Sequence, residues 1–139
     1  MKVLLSIKPE YATKILSGEK KFEFRKVGFN NPSVNTVVIY ATKPIGKLVG
    51  EFKIVQVLTG PPSSIWERTK NNAGIDKKFF DLYYEGKEQA VAIAVGEVKK
   101  YTTPKQLSEL GMGNTPPQSF RYIKTCETRF FDQAELELT

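Results

Sequence analysis

The chain has no histidine and a single cysteine, Cys126, among 139 residues. Those two shortages exclude a Cys/His zinc site, an intrachain disulfide, a Ser-His-Asp triad and a Cys-His dyad. Acid–base chemistry must then fall to Lys, Glu, Asp, Tyr or water, and any nucleophile other than water to Ser, Thr, Lys or a carboxylate. Nothing charged surrounds Cys126 in a way that would activate a thiol, so it reads as a small hydrophobe near the chain end. Long apolar runs are missing as well. No stretch approaches the roughly 18 residues of a membrane span, and the opening MKVLLSIKPE is too short an apolar run for a signal peptide. The expected setting is cytoplasmic, with no membrane partner, no metal and no cofactor. Internal repeats, low-complexity tracts and linker-like shifts in composition are also absent from the sequence. A chain of this length buries enough surface to fold without staples, so the reading is one domain over residues 1–126 and an acidic tail over 127–139.

Acidic residues are the minority, 15 against 21 Lys and Arg, which leaves a net charge of +6. The excess is uneven: the tail sets Arg129 against Glu127, Asp132, Glu135 and Glu137, net −3, so the body carries +9. A basic body attracts polyanions, although a charge of this size also serves solubility alone.

Lys2–Ile7 is a short apolar run and reads as a strand. Pro9 suits a first helical position and Gly18 a stop, with Tyr11/Ile15 and Ala12/Leu16 spaced i,i+4 between them, so a helix is expected over about 9–17. Residues 20–25 alternate, which puts Phe22 and Phe24 on one face and Lys21, Glu23 and Arg25 on the other. Residues 36–42 and 47–58 read as two further strands, and the breaker Gly60-Pro61-Pro62 follows. Ser64 to Glu67 has capping-box spacing, giving a helix over 63–70, and Asp76 can cap another that carries Phe79/Tyr83 and Phe80/Tyr84 and ends at Gly86. Residues 89–101 form the clearest long strand, apolar on both parities from Ala90 to Val95. Thr103-Pro104 to Gly111 is expected as a short helix and 119–124 as the last strand. Many strands and few short helices indicate a mainly β (α+β) architecture, a mixed β-barrel with short peripheral helices.

The informative constellation is Ser6, Lys8, Lys20, Glu23 and Arg25, which the strand–helix–strand order places around the two ends of one helix. Arg25 offers a planar fork for a phosphate or base edge, Lys8 and Lys20 offer point charges, and Glu23 can orient Arg25 or accept from an amino group. Lys20 has the opposite strand parity to Glu23, so it joins that face only from a loop, a strand end or a bulge. The segment Gly18, Lys20, Glu23, Arg25 meets in full the G-x-K-x-x-E-x-R pattern of the ASCH (activating signal cointegrator homology) family, a branch of the PUA-like superfamily, and Leu5 to Leu16 precede it in register. On these residues the sequence resembles that family. Residues 1–26 carry the likeness closely and the stretch to about 124 by architecture, with Pro116 to Phe120 similar to the closing segment of small relatives.

The resemblance implies a PUA-like pseudo-barrel whose cleft takes RNA or a nucleotide-like small molecule, in a protein that regulates transcription or translation. Ser6, Lys8, Lys20, Glu23 and Arg25 would then bind the ligand, with Tyr40 and Trp66 as flat partners for a base. It also implies a second function, since some small relatives are amidohydrolases that remove an acyl group from N4 of modified cytidine with a lysine, a threonine and a glutamate. The lysine falls on Lys20 and the threonine on Glu23, while no acid aligns between Arg68 and Asn72, Glu67 being the nearest. In that reading Lys20, with its pKa lowered by burial and by Arg25, is the general base and Glu23 relays a proton, without metal. A third reading is a protein-interaction module whose acidic tail docks on the basic body or on a partner. Against all three stands a solvated strand face of ion pairs for Lys20, Glu23 and Arg25, and simple helix packing for the aromatic residues.

Overall fold

Strand β1 (Lys2–Ile7) begins the fold and is largely buried, because its residues are mostly apolar on both faces. The computed structural model describes residues 1–111, 113–118 and 120–123. Cys126, the boundary at residue 126 and the tail 127–139 lie outside them. Helix α1 (Pro9–Ser17) starts on Pro9 and ends at Gly18, whose φ of 87° suits a residue without a Cβ. Strands β2 (Phe22–Arg25), β3 (Thr36–Ala41) and β4 (Lys47–Gly60) follow. Helices α2 (Pro62–Thr69) and α3 (Lys77–Tyr83) precede the long strand β5 (Ala90–Lys105), and β6 (Phe120–Ile123) closes the described chain.

The six strands form one mixed sheet in the order β2-β5-β4-β3-β1-β6. β1 runs parallel to β3, with Ile7 opposite Ala41, and the other neighbours are antiparallel. Register shifts between Ile39 and Tyr40, and three more along the β4–β5 pair, bend the ladder into a half-barrel. Val3, Leu5 and Ile7 with Val37 and Ile39 pack against Ala12 and Ile15 of α1, while Leu4, Val38 and Tyr40 face a second cluster with Leu48, Tyr101, Leu107 and Leu110. Each fully buried Leu, Ile or Phe in these layers contributes roughly 1.5–3 kcal/mol. A third cluster joins Phe24, Ile65, Phe80, Tyr84 and Ala92, and this pins α2 and α3 over the β2–β5 edge.

Two local expectations fail for physical reasons. No helix begins at Thr103. β5 continues to Lys105, and Leu48 faces Lys105 where Gly50 faces Lys100, so Pro104 sits in the extra length of a bulge and owes the ladder no N–H. A short 3-10 turn, Leu107–Leu110, follows, closed by reciprocal bonds between Gln106 and Glu109. The capping box at Ser64 is not formed either: α2 starts two residues earlier, on Pro62, with Pro61 at its cap. No helix among the described residues is long and apolar enough to cross a membrane.

Candidate functional site

The left-handed turn at Gly18 redirects the chain from α1 into β2, and Lys20 arrives two residues before the strand begins. Its parity is therefore free, and it joins Glu23 and Arg25 in one cavity of about 190 Å³. Ser6 and Lys8, from the end of β1 and the start of α1, line the same space. Five residues singled out in the sequence are thus brought together. Tyr40 and Trp66 are not among them: Tyr40 is buried beside Leu48 and Tyr101, and the Trp66 ring packs 5.0 Å from that of Phe80. Glu67 also lies elsewhere, in an exposed ion pair of 2.8 Å with Lys70.

The aromatic walls come from Tyr11 of α1, Phe24 of β2, and Phe79 and Tyr83 of α3. Reading both aromatic pairs of α3 as simple packing misses half of them. Phe80 and Tyr84 bury in the core, whereas Phe79 and Tyr83 stack with centroids 6.5 Å apart and turn to the cavity. Two adjacent i,i+4 stripes on so short a helix cannot share one core face, which is the signal the sequence held.

At the floor, Lys20 is only 2% exposed and its Nζ donates to the Ala73 carbonyl at 2.6 Å. The ammonium lies 4.7 Å from the Phe24 ring centroid and 5.5 Å from that of Tyr11, positions that favour a cation. The strap 72–74 is fastened by two further bonds, Lys14 Nζ to the Gly74 carbonyl at 3.2 Å and the Lys21 amide to the Asn72 carbonyl at 2.9 Å. Gly74, at φ +71°, leaves no room for a side chain: an added Cβ would stand 2.5 Å from Lys20 Cγ. Glu23 is buried, and Arg25 Nη1 donates to its Oε2 at 3.3 Å and to the Ser6 carbonyl at 3.4 Å.

Burial lowers the Lys20 pKa to about 8, with Glu23 opposing the change and Lys14 assisting it. The assisting cation is thus Lys14, where the sequence suggested Arg25. Burial raises the Glu23 pKa, against the pull of Lys20 and Arg25. Burial thus disfavours the charged form of both groups, and the mutual attraction of the two opposes it. Among the described residues no three of His, Cys, Asp or Glu gather as a metal would require.

A mixed half-barrel with a G-x-K-x-x-E-x-R cleft beside its first helix defines a PUA-like protein. The chain belongs to the ASCH domain family, whose model matches residues 5–105. The ASCH domain-containing ribonuclease of Zymomonas mobilis is 29% identical over 129 residues, covering 91% of this chain and 86% of that one. The crystal structure of ASCH from Zymomonas mobilis superposes with a TM-score of 0.86 at 27% identity, covering 95% of this chain and 94% of that one. Large ribosomal subunit protein uL22 of Ureaplasma parvum is 38% identical over 123 residues, 88% of this chain. This chain spans about two fifths of that protein's length, 39%.

Proposed function

We propose that the chain is an RNA-binding or nucleotide-binding module, and that the cavity beside α1 receives a nucleobase. The observation that carries this reading is the pairing of aromatic walls, Tyr11, Phe79 and Tyr83, with a floor of the buried Lys20 and Glu23 and the partly buried Arg25, two donors and an acceptor. Aromatic faces stack a base, and fixed polar groups read its edge. The +9 body and the exposed Lys8 supply positive potential for the backbone. Likeness to a protein described as a ribonuclease supports RNA as the polymer. A regulatory role in transcription or translation is the use such a module would have.

Single-stranded RNA is expected to bind with an affinity that falls as salt rises, with a log–log slope of magnitude below about 5, because a domain of this size reaches few phosphates. Fluorescence anisotropy over a salt series measures it. No binding even at low salt would remove the RNA reading.

Lys20 favours a second reading, as a base in metal-independent hydrolysis of N4-acylated cytidine. With a pKa near 8 it is partly neutral at physiological pH, as a general base must be. Glu23 works against this by favouring the ammonium, and the nearest acid to the expected third position, Glu67, points into solvent. Wild-type protein is therefore expected to turn over N4-acetylcytidine slowly or not at all in a chromatographic assay. Brisk turnover that Lys20→Ala abolishes would replace binding by catalysis as the primary function.

A further inference from the structure

Helix α1 has a cavity on each flank. Tyr11 faces the one already described, and Thr13, two residues on, stands on nearly the opposite side at about 100° per residue. The second cavity, about 280 Å³, is walled by Ala12, Leu16, Val49 and Pro104, with Thr13 and Lys100 at its rim. It is larger than the first and mostly apolar, which suits the face of a ring more than a charged group.

The two cavities meet the chain at consecutive residues, Lys8 lining the first and Pro9 the second. They are also joined across the sheet, where Ile7 of the first lies opposite Ala41 of the second. A ligand that occupies both must cross the start of α1 beside Lys8. Lys8 and Lys100 are exposed, and neither makes an ion pair among the described residues. Two ring-sized cavities flanking a helix about 10 Å wide, with the exposed Lys8 ammonium at the crossing, over the Phe79 ring, and that of Lys100 at the far rim, match splayed bases joined by an anionic backbone.

We infer that the second cavity holds a neighbouring base of the same strand, so that the ligand is an oligonucleotide and not a free nucleoside. This rests on the RNA reading of the first cavity and fixes its minimum length. A free nucleoside would gain nothing from the second cavity, whereas a tethered base enters it at high effective concentration.

Calorimetry with the four nucleoside 5′-monophosphates and the matching homotrinucleotides tests the inference. The best trinucleotide should bind at least about tenfold more tightly than its monomer. Thr13→Trp, which fills the second cavity from an exposed position, and Lys100→Glu should each bring the trinucleotide to within about twofold of the monomer and leave the monomer unchanged. A trinucleotide no tighter than its monomer, or an advantage that survives both variants, overturns the inference while the first cavity stands. Failure of monomers and trinucleotides alike overturns both.

Discussion

Replacing Arg25 by alanine should destabilise the fold by about 3–5 kcal/mol, the range for a buried carboxylate that loses its partner. The guanidinium is the group hydrogen-bonded to the Glu23 carboxylate, and both side chains are nearly enclosed, 13% and 8% exposed. Without it Glu23 keeps only the attraction of Lys20 against burial, and must either hold a poorly compensated charge or take up a proton, an option that costs more as pH rises. Chemical denaturation should therefore show a penalty that grows as pH rises above the ordinary carboxylate value of 4.5, and Arg25→Met combined with Glu23→Gln should recover most of it. RNA affinity should fall about 10- to 100-fold in Arg25→Ala and nearly as far in Arg25→Lys, because an ammonium does not reproduce the planar fork. A variant within about 0.5 kcal/mol of wild type at every pH would show that the Arg25–Glu23 pair is not a structural unit.

Stability should climb as the solution is made alkaline, and the cause should be Lys20. Its folded pKa is about 8 against an ordinary 10.5. Between those values the unfolded chain holds a proton that the folded chain has released, so folding gains with pH; below pH 8 the burial cost is present in full. The whole gap corresponds to about 3 kcal/mol, of which about 2 kcal/mol should appear between pH 7 and pH 9.5. Tyr11 and Tyr83, raised by burial, act in the opposite direction, but only as pH passes about 10. Glu23, also raised by burial, acts at the acid end, where stability falls as pH climbs past its ordinary value of 4.5. Denaturation curves of wild type and Lys20→Met from pH 7 to 9.5 isolate the lysine. Parallel curves would place its proton elsewhere.

The parts of this molecule governed by local rules were readable in the sequence. β1 and α1 have the expected bounds because strand polarity, Pro9 and Gly18 act within a few residues of each other. The convergence of Ser6, Lys8, Lys20, Glu23 and Arg25 was legible for the same reason, since all lie within one strand–helix–strand unit. Pro104 was not, because a Thr-Pro pair that opens a helix elsewhere here occupies a bulge set by the β4–β5 register. Tyr40 illustrates a second limit: β3 is buried on both faces, so alternation does not tell which side a residue serves. Nor does the sequence show that residues 72–74 hold Lys20, because the bonds run to main-chain carbonyls that every residue possesses.

That last arrangement determines what kinds of change the cleft tolerates. Because the strap grips Lys14, Lys20 and Lys21 through the carbonyls of Gly74, Ala73 and Asn72, the exposed side chain at 72 is spelled freely, while Ala73 must stay small among the buried residues of the third cluster and position 74 demands glycine. What the strap encodes is a count. One residue inserted or removed between the end of α2 and Asn72 would shift every carbonyl off its donor at once, while leaving each individual residue type intact. The cleft is thus written in spacing more than in spelling, and its integrity in a divergent sequence is read by measuring the distance from α2 to Gly74.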